Sequence, residues 1–185
     1  MNLKEEKVNS TVHYKGRIIT LYNDEIKLPD GNAAYREYVK HPGGVCVVPL
    51  NFNGEVMLVR QYRYVYQSEI IEIPAGKRDS QNEDTLEGAK RELKEELGIE
   101  AENFYFLGEL YPTPGYTDEV LYMYAATGLS FGDTNPDDDE FVVPEKMHID
   151  TLTEKIMAGD IKDAKTVAAV LKTKRLLDNN TICLK

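Results

Sequence analysis

A glycine loop, Gly76-Lys77-Arg78-Asp79-Ser80-Gln81-Asn82, precedes a helical segment that ends Arg91-Glu92-Leu93-Lys94-Glu95-Glu96-Leu97-Gly98. Glu92 and Glu96 are four residues apart and Glu92 and Glu95 three, so on a helix their carboxylates are neighbours. Like charges at that spacing destabilise a bare helix. An acidic run of this kind is commonly a solvated face. The alternative is a compensating charge. A hard divalent cation, Mg²⁺ or Mn²⁺, held by carboxylates and by the phosphates of a substrate, supplies one.

The residues from Glu83 to Ile99 resemble the Nudix box, the signature of hydrolases acting on a nucleoside diphosphate linked to a further group. Seven residues lead from Glu83 to Arg91-Glu92-Leu93, and Lys94, Glu95-Glu96, Leu97 and Gly98-Ile99 follow in the family order. Agreement at that many spaced positions favours the metal site over the solvated face. The departure lies upstream, where six residues separate Gly76 from Glu83, one more than in the family pattern. Ser80-Gln81-Asn82 is turn-like and lies ahead of the helix, so the extra residue reads as a loop insertion. It bears on the local geometry of Glu83 and leaves the helical carboxylates in step.

The chain has 185 residues, 42% of them apolar, which suits one domain with an extension and a real core. The 32 acidic and 22 basic residues give a formal charge of −10, which argues against nucleic acid or an anionic membrane as partner. A pyrophosphate ligand must then be attracted by metal ions and a few local arginines. Cys46 and Cys183 form no framework and no zinc spacing. Cys46, inside Gly44-Val45-Cys46-Val47-Val48, is expected to be a buried free thiol. The N-terminus shows no apolar core of a signal peptide and no run approaches a membrane span, so the cytoplasm is the expected compartment.

Strands are expected over 17–28 and 33–41 around the hairpin turn Pro29-Asp30-Gly31-Asn32, and over 45–50 and 56–62 with a hairpin at Asn53-Gly54. Further strands read at 69–73, 104–110, 119–129 and 141–147. The box helix should start near Thr85, with Asp84 as N-cap and Glu87 completing a capping box, and stop at Gly98. Helices follow at 151–157 and 164–177, the last with Val167, Val170, Leu171 and Lys174 as its buried stripe and Asp163 as cap. Mixed strands and helices imply an α/β layered sandwich with a mixed sheet. This agrees with the Nudix fold. Residues 1–42 are similar to the small N-terminal antiparallel β-domain of one Nudix subfamily, leaving 43–185 as the hydrolase domain.

Pro114, sixteen residues after Gly98 and within Pro112-Thr113-Pro114-Gly115-Tyr116-Thr117-Asp118-Glu119, resembles the ADP-ribose pyrophosphatases. So do His41-Pro42-Gly43-Gly44, Arg60-Gln61-Tyr62-Arg63, Glu72-Ile73-Pro74-Ala75-Gly76-Lys77 and Gly159-Asp160-Ile161-Lys162-Asp163-Ala164-Lys165-Thr166. The resemblance implies Glu92 and Glu96 as the principal metal ligands, with Glu95 at a further ion and the Ala75 carbonyl completing a site of two or more ions. Gly76 would let the backbone turn around it, Arg91 would hold the carboxylates, and Glu83 would be a supporting acid. The general base would come from Asp137-Asp138-Asp139-Glu140, as Glu140 or Asp139. Arg63 would meet phosphate or the adenosine side, Gly115 would line the site, and Glu119 would accept from the distal ribose. Arg36, with Tyr35, would reach the adenine of a neighbouring subunit in a homodimer that swaps its N-terminal domains.

The implied reaction is hydrolysis of ADP-ribose to AMP and ribose 5-phosphate. Another nucleotide sugar such as GDP-mannose is the near alternative. A non-catalytic nucleotide sensor is the distant one, disfavoured because the box carboxylates are present and no basic helix-turn-helix segment is.

Overall fold

The computed structural model describes residues 2–80, 82–135 and 141–184. Its contacts divide the chain into two units, Met1–Gly43 with Tyr111–Val120, and Gly44–Leu110 with Leu121–Lys185.

In the first unit β1 (Glu6–Lys15), β2 (Thr20–Lys27) and β3 (Ala33–Lys40) form an antiparallel sheet in that order. The hairpin turn is where Asp-Gly predicts it. Gly31 takes φ +92°, and the Leu28 amide donates to the Asn32 carbonyl at 2.8 Å. The sequence reading misses β1, and the reason is visible. Val8, Val12 and Tyr14 fall in one alternating phase of it, but the run is otherwise polar and every residue of β1 is exposed, so it gives only a weak apolar alternation. Backbone pairing to β2 holds it, helped by Ser10 Oγ donating to the buried Asp24 at 2.5 Å. The 111–120 segment lies along β3, with the Val39 amide donating to the Tyr116 carbonyl at 2.8 Å and the Asp118 amide to the Val39 carbonyl at 3.2 Å.

The second unit contains β4 (Gly44–Pro49), β5 (Glu55–Arg63), β6 (Ser68–Glu72), β7 (Ala75–Lys77), α1 (Thr85–Leu97), β8 (Ile99–Leu110), β9 (Leu121–Phe131), β10 (Val142–His148), α2 (Ile149–Ala158) and α3 (Ala164–Asp178). One sheet is mixed, in the order β7-β4-β9-β8, with β4 and β9 parallel. The other is antiparallel, in the order β10-β5-β6.

Alternation along β4 and β9 builds two cores. Val45, Val47, Tyr124 and Ala126 pack with Ala89, Leu93 and Leu97 of α1. Cys46, Val48, Met123 and Ala125 pack with Leu152 and Ile156 of α2 and Ala169 and Val170 of α3. A strand buried on both faces reads as a continuous apolar run, which is what Val45 to Val48 is. This is the expected α/β/α sandwich. Cys46 is a buried free thiol, its pKa pushed up to about 12 by burial.

Three expectations are corrected, the last of them at the start of α1. Asn53-Gly54 joins β4 and β5, but only Leu50 and Val56 pair before the strands part into different sheets. Of the expected α3 stripe, Val170 is buried and Val167 and Leu171 pack against the same core, but Lys174 is not part of it; Lys165, Thr166, Ala169 and Thr173 are buried instead. Burial of the threonines is tolerated because Thr173 Oγ donates to the Ala169 carbonyl at 2.8 Å and Thr166 Oγ to Asp163 at 2.6 Å. Lys174 instead pairs with Asp150 and Asp178. No helix among the described residues is long and apolar enough to cross a membrane.

The Asp84 carboxylate caps α1, accepting from the Leu86 and Glu87 amides at 3.0 and 3.1 Å. Glu87 turns to Lys90 at 2.7 Å rather than back into a capping box. Replacing Asp84 with Ala should therefore destabilise the protein by about 1 kcal/mol. Urea denaturation monitored by circular dichroism reads that difference directly.

Candidate metal and phosphate site

The carboxylates lie on the side of α1 that faces β7. Glu92 is 7% exposed and Glu96 2%, so both acids are drawn out of solvent by the helix packing that buries Leu93 beside them. The Ala75 amide donates to Glu96 Oε2 at 3.2 Å. A Cβ on Gly76 would fall inside the Glu92 carboxylate, so the glycine is required by close approach rather than by its backbone angles. β7, too short to be read from sequence, sets this register: Ala75 pairs with Cys46 and Gly76 with Val45.

Arg91 is the hub. Its Nη1 donates to Glu92 Oε1 at 2.8 Å and Glu95 Oε2 at 3.0 Å, and its Nη2 to the Lys77 carbonyl at 3.1 Å and Glu83 Oε1 at 3.3 Å. Burial works against the arginine charge. The Glu92 carboxylate, with the hydrogen bonds to Glu92, Glu83 and Glu95, more than offsets this, so the pKa is raised above the ordinary value. Glu83 is also held by the loop: its Oε2 accepts from the Asp79 amide at 2.8 Å and its amide donates to the Ser80 carbonyl. Gly88, to which sequence reasoning assigned no role, leaves room for the Glu83 carboxyl, which a Cβ there would meet at 3.3 Å.

The donors Glu92, Glu95 and Glu96 are all oxygen, the chemistry of a hard divalent cation. Among the described residues, no three acidic, histidine or cysteine side chains are already gathered to hold an ion. Arg91 supplies the counter-charge in their place. The donor set and the glycine cradle fit a divalent cation.

Arg63 belongs to the same unit. Its fork is committed to Glu72, with Nε to Oε1 at 2.6 Å and Nη2 to Oε2 at 2.5 Å, while its side chain stays 41% exposed. Glu72 and Lys165 are further residues to which sequence reasoning gave no role. Both stood in stretches singled out for resemblance, but only burial reveals them: Glu72 is 1% and Lys165 8% exposed.

The other candidates lie in the first unit. Arg36 pairs with Glu5 through Nε at 3.0 Å and through Nη2, and Tyr35 is exposed. The Nδ1 atom of His41 accepts from the Gly43 amide at 3.1 Å, so the 3.5 Å approach of Glu119 to that nitrogen is not a hydrogen bond. The surroundings of Gly115 are open: a Cβ there meets nothing within 4 Å. Asp139 and Glu140 lie outside the described residues.

With this geometry, comparison with known proteins is direct. The NUDIX domain model matches residues 40–170. The chain belongs to the Nudix family. It is 39% identical to the methanol dehydrogenase activator of Bacillus methanolicus over 171 residues, covering 91% of this chain and 92% of that one. It is 33% identical to the ADP-ribose pyrophosphatase of Bacillus subtilis (strain 168), with the same coverage. A crystal structure of an ADP compounds hydrolase superposes with a TM-score of 0.85 over 97% of this chain and 98% of that one, at 22% identity, which shows the shared fold.

Two outcomes follow from the Nudix site geometry. Gly76→Ala should fold but displace Glu92, weakening Mn²⁺ binding at least tenfold, about the loss expected when a ligand's support is disturbed. Electron paramagnetic resonance titration of free Mn²⁺ measures it. For Glu72, burial raises the pKa, but Arg63 and Lys165 more than compensate and leave it below the ordinary 4.5. Its stabilisation is therefore full above the unfolded value and drains away as pH falls through the folded one. Glu72→Gln should be less stable than wild type at neutral pH, and the gap should narrow at acidities below about 4.5 in urea melts taken across pH.

Proposed function

We propose that the chain is a divalent-metal-dependent hydrolase that cleaves ADP-ribose to AMP and ribose 5-phosphate. The observation that carries this is one face of α1 on which Arg91 holds Glu92 and Glu95 while Glu96 accepts from the Ala75 amide, beside a glycine whose missing Cβ makes room for Glu92. The identity to an ADP-ribose pyrophosphatase along nearly the whole chain supports the choice of substrate.

Glu92, Glu96 and the Ala75 carbonyl would hold one Mg²⁺ or Mn²⁺, and Glu95 would serve a second. Bound there, such ions orient phosphate oxygens, neutralise developing charge and lower the pKa of water. Arg91 keeps the acidic face folded when it is not otherwise neutralised, and Glu83 holds Arg91 from the other side. Arg63 presents a guanidinium edge to the phosphates. A water adds to one phosphorus, the bridging P–O bond breaks, and the water proton passes to a base from the acidic run, with Glu140 or Asp139 the position to substitute.

The first unit is proposed as a dimerisation domain corresponding to residues 1–42, whose Arg36 and Tyr35 serve the adenine of a partner copy. Glu119 is proposed to accept from the distal ribose, with Gly115 lining that side. Support for these roles is the resemblance of the motifs together with the exposure of Tyr35 and the open space at Gly115.

A second reading is favoured by the 39% identity to a methanol dehydrogenase activator: the chain stimulates an alcohol dehydrogenase. Added to a methanol dehydrogenase assay, it should then raise the rate, and Glu96→Gln should not if hydrolysis is the means.

Product release from ADP-ribose, ADP-glucose, GDP-mannose, NADH and diadenosine polyphosphates, with Mg²⁺ and with EDTA, tests the primary reading. AMP from ADP-ribose should exceed every other product and vanish in EDTA. Glu96→Gln should lower kcat by roughly a hundredfold or more, since even supporting residues of a metal site reach that loss. Preference for GDP-mannose would replace the substrate and keep the metal chemistry. Nucleotide binding without turnover would make the domain a sensor.

A further inference from the structure

Glu72 ends β6 three residues before Ala75, and its partners come from separate elements. Both prongs of Arg63 bind its carboxylate, and the ammonium of Lys165, on α3, donates to the same Oε2 that Arg63 Nη2 reaches. Lys165 also donates to Asp163 Oδ1 at 3.0 Å. Asp163 caps α3 and accepts from Thr166 Oγ, which in turn accepts from the Ile73 amide at 3.0 Å. The bonds close a ring from β6 through the start of α3 and back to the residue after Glu72.

Stability alone is a poor reason for such a ring. Apolar residues of similar volume commonly do as well as a buried ion network, or better. What the ring orients is more telling. The backbone running into Ala75 is pinned by Thr166 at Ile73 and by Glu96 at Ala75. Arg63 is pinned by Glu72 yet remains partly exposed.

Lys165 decides the charge of this arrangement. Arg63 and Lys165 balance Glu72 and Asp163. Without the ammonium the ring is net negative, draws the guanidinium inward and repels an anionic ligand. Its hold on Oε2 also fixes the plane of the carboxylate, and with it the direction of the arginine fork.

We propose that Lys165 is a positioning residue for phosphate binding: acting through Glu72, it sets the orientation and effective charge of Arg63. This rests on the reading of the site as a nucleoside diphosphate site with Arg63 at the phosphates.

Lys165→Met keeps the stem and removes the charge. With ADP-ribose and Mg²⁺, its KM should rise roughly tenfold, with a much smaller change in kcat. Calorimetric binding of ADP-ribose in EDTA, where no metal is loaded, should weaken by a similar factor. Lys165→Arg should recover most of the loss. In an Arg63→Ala background, Lys165→Met should change KM no further, because the two act as one unit. If Lys165→Met does not fold, Lys165→Gln, which removes the charge but keeps a donor for Glu72, should show a rise in KM of the same sense. A wild-type KM in the variant that folds, with or without a lowered melting temperature, overturns the proposal. So does a KM effect undiminished by Arg63→Ala. A wild-type protein inert toward every nucleotide would instead defeat the functional reading on which it rests.

Discussion

The pairing of Arg91 with the acids of its own helix is the interaction on which the site depends. Three glutamates within five residues would repel one another on an isolated helix, and two of them are withdrawn from water. One guanidinium, donating to Glu83, Glu92 and Glu95, lets the helix fold with this face inward. The same acids are then concentrated on one face of α1, against the glycine backbone of β7.

The sandwich makes that cluster possible. β4 and β9 are parallel neighbours buried on both faces, so alternate residues face α1 on one side and α2 with α3 on the other. α1 is held by Val45, Val47 and Tyr124, and β7, paired to the same β4, brings Ala75 and Gly76 against it. Two elements registered on one central strand keep a carboxylate and a glycine backbone in close approach. Neither helix packing nor loop conformation could do so alone.

The second polar focus, Arg63 with Glu72, Lys165 and Asp163, works by another rule. Arg91 neutralises neighbours on one helix, whereas this ring ties β5, β6 and the start of α3 together. Asp163 is bonded locally, but Lys165 reaches Glu72 and Thr166 reaches Ile73 across the chain, so that the ring joins the backbone just ahead of Ala75. Local spacing gives no hint of it. Lys165 reads as one more exposed cation beside Asp163 until burial shows it turned inward.

What the chain determines locally was legible in its residues. The start of α1 at Asp84, its end at Gly98 with φ +63°, the phase of its carboxylates and the turn at Gly31 depend on caps, periodicity and backbone freedom. Each is a property of a few adjacent residues. Tertiary structure decided the rest. β1 forms only because β2 is there to pair with it, and the inward face of α3 was chosen by the sheet it covers, so that two threonines are buried in place of Lys174. The parting of β4 from β5 and the capture of Glu72 by Lys165 are settled by partners distant in the chain. Burial and charge compensation belong to the whole packed unit, and no window of sequence contains them.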